Sequence, residues 1–95
     1  MTGDNADKLI IINENFRRVL RKKEKRLQDA INECIRRLVD TPDHPGLQVH
    51  RVHGTKTVVW EAYIDRANRL TFERLGHGVI VLRNNCNHDI VKRRP

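Results

Sequence analysis

The sequence predicts one α+β domain: an N-terminal strand, a helical hairpin, then a four-stranded, mainly antiparallel sheet with the helices packed on one face. Three observations predict it. A short apolar run, Leu9-Ile10-Ile11-Ile12, precedes a stretch from Glu14 to Asp40 that holds no Gly or Pro and places its apolar residues at helical spacing. From Thr41 onward the pattern changes, and Pro, Gly and Asn punctuate segments of alternating polarity. The connections between those segments are short enough that neighbouring strands must run antiparallel.

Taken in order, Met1 to Asp7 is polar and acidic and reads as a disordered tail, not as a secretory signal. The run at Leu9 to Ile12 suits a buried strand. Asn13 is a suitable helix N-cap, and Glu14 favours the first turn. Phe16, Val19 and Leu20 then recur on one face. A charged gap follows at Arg21 to Arg26, and a second stripe runs through Leu27, Ala30, Ile31, Cys34, Ile35, Leu38 and Val39. One long helix and two helices both fit this pattern. A hairpin bent near Lys22 to Lys25 is the more compact solution for a small core. Thr41-Pro42 and His44-Pro45-Gly46 close the helical region.

Strands are expected at Leu47–His53, Thr57–Asp65, Asn68–Leu75 and Val79–Asn84. Alternation puts Trp60, Ala62, Ile64, Leu70, Phe72, Ile80 and Leu82 under the helices. The opposite face then carries Glu61, Tyr63, Arg69, Thr71, Glu73 and Arg83. Trp60 has the parity of a core residue.

With 95 residues the chain makes one domain, residues 1–95, with a modest core. A net charge of +7 makes polyanions the first partners to consider. No apolar run approaches a membrane span, so no membrane partner is expected. Two cysteines, Cys34 and Cys86, without an export signal read as reduced thiols in a cytoplasmic protein. Seven His and Cys side chains could ligate a metal, but none has ligand spacing on a helix. No metal and no cofactor are expected.

Six short blocks resemble, in order, the RelE/ParE toxin superfamily. They are His44-Pro45-Gly46-Leu47, Val49 to Gly54, Trp60-Glu61-Ala62, Asn68-Arg69-Leu70-Thr71-Phe72, Val81-Leu82-Arg83 and Asn87-His88-Asp89. The resemblance covers Leu9 to about Val91. It implies the toxin of a type II toxin–antitoxin system, a ribosome-dependent endoribonuclease that cleaves mRNA without a metal. It implies an acidic cognate antitoxin, the ribosome and mRNA as partners, and operator DNA contacted through the antitoxin. The family's strand-borne arginine corresponds to Arg69, and the histidine after its last strand to His88. His50, Arg51 and His53 fall where related toxins place phosphate contacts. The sequence departs from the pattern at Cys86-Asn87 and at Lys92, where an aromatic residue is usual.

Metal-free RNA cleavage needs a base for the 2′-OH, a cation for the phosphate and an acid for the 5′-oxygen. Arg69 suits the cation role because a guanidinium stays charged and forks onto two oxygens. It suits a cross-strand pair with Glu61 or Glu73 equally well. His88 is the candidate acid or base, and Arg83 a second phosphate ligand. Asp89 is expected to cap its own turn. Glu61 can orient Arg69, and Tyr63 can stack on a base. Lys92, with Arg93 and Arg94, forms a basic tail suited to RNA. Arg17, Arg18, Arg21, Lys22, Lys23, Lys25 and Arg26 make a basic helical cluster suited to rRNA or to an acidic antitoxin. Two other readings stay open: a ParE-type toxin that poisons gyrase with no nuclease activity, and a catalytically silent module that binds RNA or antitoxin.

Overall fold

A computed structural model describes residues 9–95; the tail expected over residues 1–7 lies outside them. The described chain forms β1 (Leu9–Ile12), α1 (Glu14–Arg21), α2 (Lys25–Asp40), β2 (His50–Val52), β3 (Val59–Tyr63), β4 (Asn68–Leu75) and β5 (Val79–Asn87). Short 3₁₀ turns occupy Pro45–Leu47 and His88–Ile90. The sheet order is β1-β5-β4-β3-β2. β1 runs parallel to β5, and every other pair is antiparallel.

Local chemistry explains the helical hairpin. Asn13 Oδ1 accepts from Phe16 N at 2.9 Å and starts α1. The charged gap becomes a tight turn after Arg21, and Gln28 of α2 donates through Nε2 to Leu20 O at 3.1 Å. That bond fastens one helix to the open end of the other. α1 buries Phe16, and α2 buries Ile31, Cys34 and Leu38. These side chains pack on Ala62, Leu70, Phe72 and Leu82 from the sheet. Trp60, Ile64 and Ile80 are half-buried around them, as alternation predicts. Both cysteines are free thiols, and burial pushes the Cys34 thiol up to about 12.

β4 spans the predicted residues, Asn68–Leu75, while the other strands shift. β1 lies at a sheet edge and exposes Leu9, Ile11 and Ile12, because one flank pairs with β5 and no strand among the described residues covers the other. It is therefore not the buried strand its composition suggested. β2 and β3 are shorter than expected, because residues 53–58 are spent on the connection and not on pairing.

β5 runs three residues further than its polarity suggested. Side-chain bonds of its asparagines carry the strand on without apolar residues: Asn85 Nδ2 donates to Phe16 O, while its buried Oδ1 lacks a partner, and Asn84 Nδ2 donates to Arg94 O. A bulge at Arg83 shifts the β4–β5 register, with Thr71 opposite Asn84 and Phe72 opposite Leu82. Both Arg83 and Asn84 then reach the C-terminal segment.

That segment, residues 88–95, covers part of the sheet face that alternation left open. Val91 and Ile90 pack on Val52, Val59 and Cys86 as a second small core. His88 N donates to Ala67 O at 2.8 Å. Thr71 Oγ1 and Arg83 Nε both donate to Pro95 O. The expectation of one greasy face and one polar, arginine-bearing face is corrected to that extent. Among the described residues, no helix is long and apolar enough to cross a membrane.

Candidate active site

The register of the β2–β3 hairpin puts His50 directly across from Glu61. β3 pairs with β4 so that Glu61 meets Thr71 and Tyr63 meets Arg69. The 3₁₀ turn after β5 then delivers His88 to the same place. Asn87 Oδ1 accepts from Asp89 N at 3.0 Å, so Asn87, and not Asp89, caps this turn. Three elements distant in sequence thereby aim at one carboxylate.

Glu61 is the hub. Its side chain is 7% exposed, while His50 and His88 above it are 60% and 59% exposed. His50 Nε2 lies 3.2 Å from Glu61 Oε1. Arg69 Nε lies 3.3 Å, and His88 Nδ1 3.8 Å, from Glu61 Oε2. Neither approach to Oε2 has hydrogen-bond geometry, so this buried oxygen is held by charge alone. The site is layered: two accessible imidazoles rest on a buried carboxylate and guanidinium.

The layering distributes the donors. His50 Nδ1 sits 2.9 Å from Gln48 O, so both of its ring nitrogens face acceptors. His88 meets Glu61 through Nδ1, and its side chain is largely exposed and lines the cavity above. A carboxylate on the Nδ1 side is where hydrolytic sites place the group that orients a general-base imidazole; here, at 3.8 Å, the contact is one of charge and not a hydrogen bond.

Arg69 is the most committed residue. Its side chain is 14% exposed. Nη1 donates to Asp65 O at 2.6 Å and to Asn68 O at 3.0 Å, and the guanidinium lies 4.7 Å from the Tyr63 ring centroid. Arg69 thus presents positive charge from beneath instead of an open fork. Its anchor is the β3–β4 turn, where Asp65 Oδ1 accepts from Ala67 N, Asn68 N and Asn68 Nδ2. Burial alone would raise the Asp65 carboxyl, but these bonds and the Arg69 charge hold it below the usual carboxylate range. Cys86, paired with Arg69 in register, has its thiol pushed up by burial, and Lys23 pulls it partly back.

A cavity of about 390 Å³ opens over the hub, lined by His50, Arg51, His53, Glu61, His88 and Lys92 among others. Six of the nine residues singled out from the sequence therefore meet at one cavity. Arg69 and Tyr63 lie beneath it. Arg83 does not join them: it pairs with Glu73 and with Pro95 O, and lines a different groove. No group of three or more His, Cys, Asp or Glu among the described residues is arranged to hold a metal ion. The convergence of His50 with His88 carried no sequence signal, because it follows from a hairpin register set by the loop at residues 53–58.

No family model matches the sequence, and no curated protein matches it. The likeness to known proteins is in the backbone. A chain of the E. coli DinJ–YafQ toxin–antitoxin complex matches with a TM-score of 0.74 at 11% identity, over 90% of this chain and 97% of that one. A YoeB/ParE toxin from Agrobacterium tumefaciens gives 0.70 at 17% identity, over 83% and 96%. A chain of the archaeal RelE–RelB complex from Pyrococcus horikoshii gives 0.68 at 15% identity, over 85% and 94%. The chain has the RelE/ParE-type toxin fold.

Proposed function

We propose that this RelE/ParE-type fold serves as the toxin of a type II toxin–antitoxin system and acts as a ribosome-dependent endoribonuclease on mRNA. The observation that carries the reading is the pair of accessible imidazoles, His50 and His88, bracketing one buried carboxylate. In this reading His88 Nε2 takes the proton from a 2′-OH. The 2′-oxygen attacks phosphorus, the bond to the 5′-oxygen breaks, and a 2′,3′-cyclic phosphate remains. His50 gives a proton to the departing 5′-oxygen. Glu61 orients both rings, and Arg69 adds positive charge under the phosphate. Arg51, His53 and Lys92 hold neighbouring phosphates at the rim. No metal enters the scheme.

Two of the three neighbours named come from toxin–antitoxin complexes, which supports an antitoxin partner here too. The net charge of +7 suits an acidic one, with operator DNA contacted through it. The cytoplasm, where mRNA and ribosomes meet, is the proposed site of action.

The test is expression of wild type, His88→Ala and His50→Ala, with mapping of mRNA 5′ ends, followed by the same variants on programmed ribosomes and on naked RNA. Each variant is expected to lose about 10²–10⁴-fold in cleavage rate, with a bell-shaped pH profile in wild type. Growth arrest by a His50→Ala/His88→Ala double variant as complete as by wild type would falsify this chemistry. Damaged DNA with intact mRNA would indicate the gyrase-poisoning reading instead.

A further inference from the structure

A second groove, of about 580 Å³, lies between α1, β5 and the C-terminal segment. Four cations line it: Arg18, Lys23, Arg83 and Arg94. No carboxylate side chain does, although the chain carries 12 Asp and Glu. Arg83 is neutralised by Glu73. Arg18 is held by Asn15, Nη2 to Oδ1 at 2.7 Å, and keeps its charge. Lys23 and Arg94 have no ion-pair partner among the described residues, and Lys23 is half-buried. A half-buried, unpaired ammonium carries a desolvation cost that an anion would offset.

The groove also adjoins the cavity over Glu61. Asn87 lines the groove, and the next residue, His88, lines the cavity. The C-terminal segment divides the two, with Ile90 and Arg94 on the groove side and Val91 and Lys92 on the cavity side. Any linear polyanion crossing that segment from the cavity meets Lys23 and Arg94 next. The carboxamides of Asn15, Asn84 and Asn87 complete the wall, held there by bonds to Arg83 O, Arg94 O and Asp89 N. Continuity with the cavity makes that polyanion the strand that occupies the cavity.

We propose that this groove is a second RNA subsite, in which Lys23 and Arg94 hold phosphodiesters of the single strand flanking the cut. It rests on the nuclease reading for the identity of the polyanion, and the contact itself requires no cleavage.

The experiment is binding of 2′-O-methyl RNA, which cannot be cut, by fluorescence anisotropy over a range of salt. A dodecamer reaches the groove; a trinucleotide fits the cavity alone. For Lys23→Gln/Arg94→Gln, dodecamer affinity is expected to fall about ten-fold, and the salt slope by about 0.7 for each cation removed. Trinucleotide binding should not change. The charge-matched control Arg36→Gln/Arg37→Gln, which alters residues outside the groove, the cavity and the basic helical cluster, should leave both nearly intact. Equal losses in the two double variants, or an unchanged salt slope, would overturn the proposal and make the groove a solvated face. So would competition by polyglutamate that disappears in Lys23→Gln/Arg94→Gln while RNA affinity stays put, since the occupant is then an acidic protein. If wild type cuts no RNA but the groove variant still loses dodecamer affinity, the nuclease reading falls and the subsite stands.

Discussion

The two faces of the sheet are held by different physics. The helix-covered face is closed by shape: Phe16, Leu70, Phe72 and Leu82 are fully buried against one another. Among the described residues, the buried apolar cluster of the opposite face is small: Val52, Val59, Cys86 and Val91. The rest of it is secured by hydrogen bonds and charge through Glu61, Thr71, Arg83 and Asn84. A buried carboxylate with an oxygen that lacks a hydrogen bond is a cost, and such costs gather where function needs them. The contrast teaches a division of labour: one face stores the stability that lets the other hold an expensive arrangement.

The strongest way to break that contrast is Phe72→Ala. Truncating a fully buried aromatic leaves a cavity and is expected to cost about 3–5 kcal/mol in urea unfolding. A loss under about 1 kcal/mol would mean that the helix-covered face is not where stability resides. Glu61→Gln is the matching probe of the other face. It keeps the shape, removes the charge, and should lower stability by only about 1–2 kcal/mol. Cleavage should fall at least ten-fold, because neither imidazole nor Arg69 then has its anion. Unfolding as severe as that of Phe72→Ala, with cleavage by the remaining folded fraction unchanged, would erase the distinction.

The two faces also differed in how readable they were. Helical spacing in Leu27 to Val39 and alternation in Asn68 to Leu75 are repeated many times over, so the helix-covered core could be read from pattern. Asn13 announced the start of α1, and the charged gap its end. The other face has no period. Val91, Cys86 and Val52 are isolated apolar residues, and nothing local shows that residues 88–95 fold back on them. Arg69 and His88 were visible as chemistry, and Glu61 as a partner for Arg69. The place of His50 depended on a six-residue connection, residues 53–58, that had read as a three-residue turn. Arg83 had the right parity for the site but lies at a bulge, and alternation cannot anticipate an extra residue.

The smallest effect sharpens the contrast at the turn that anchors Arg69. Asp65 accepts three hydrogen bonds through Oδ1, and its backbone carbonyl accepts Arg69 Nη1. Its folded carboxyl is held below the usual range, so the sign follows from linkage. Its contribution is complete above the unfolded value of about 4 and fades as pH falls through the lower folded value. Asp65→Asn retains an acceptor and loses the charge. Allowing for solvent screening at this partly exposed site, the cost at neutral pH should be under about 1 kcal/mol. Unfolding curves of variant and wild type should converge in acid, because the wild-type carboxyl is then also uncharged. A gap that persists unchanged to low pH would assign the role of Asp65 to hydrogen-bond geometry alone. A gap that widens in acid would contradict the direction of its shift, and with it the account of how this turn holds the guanidinium under the site.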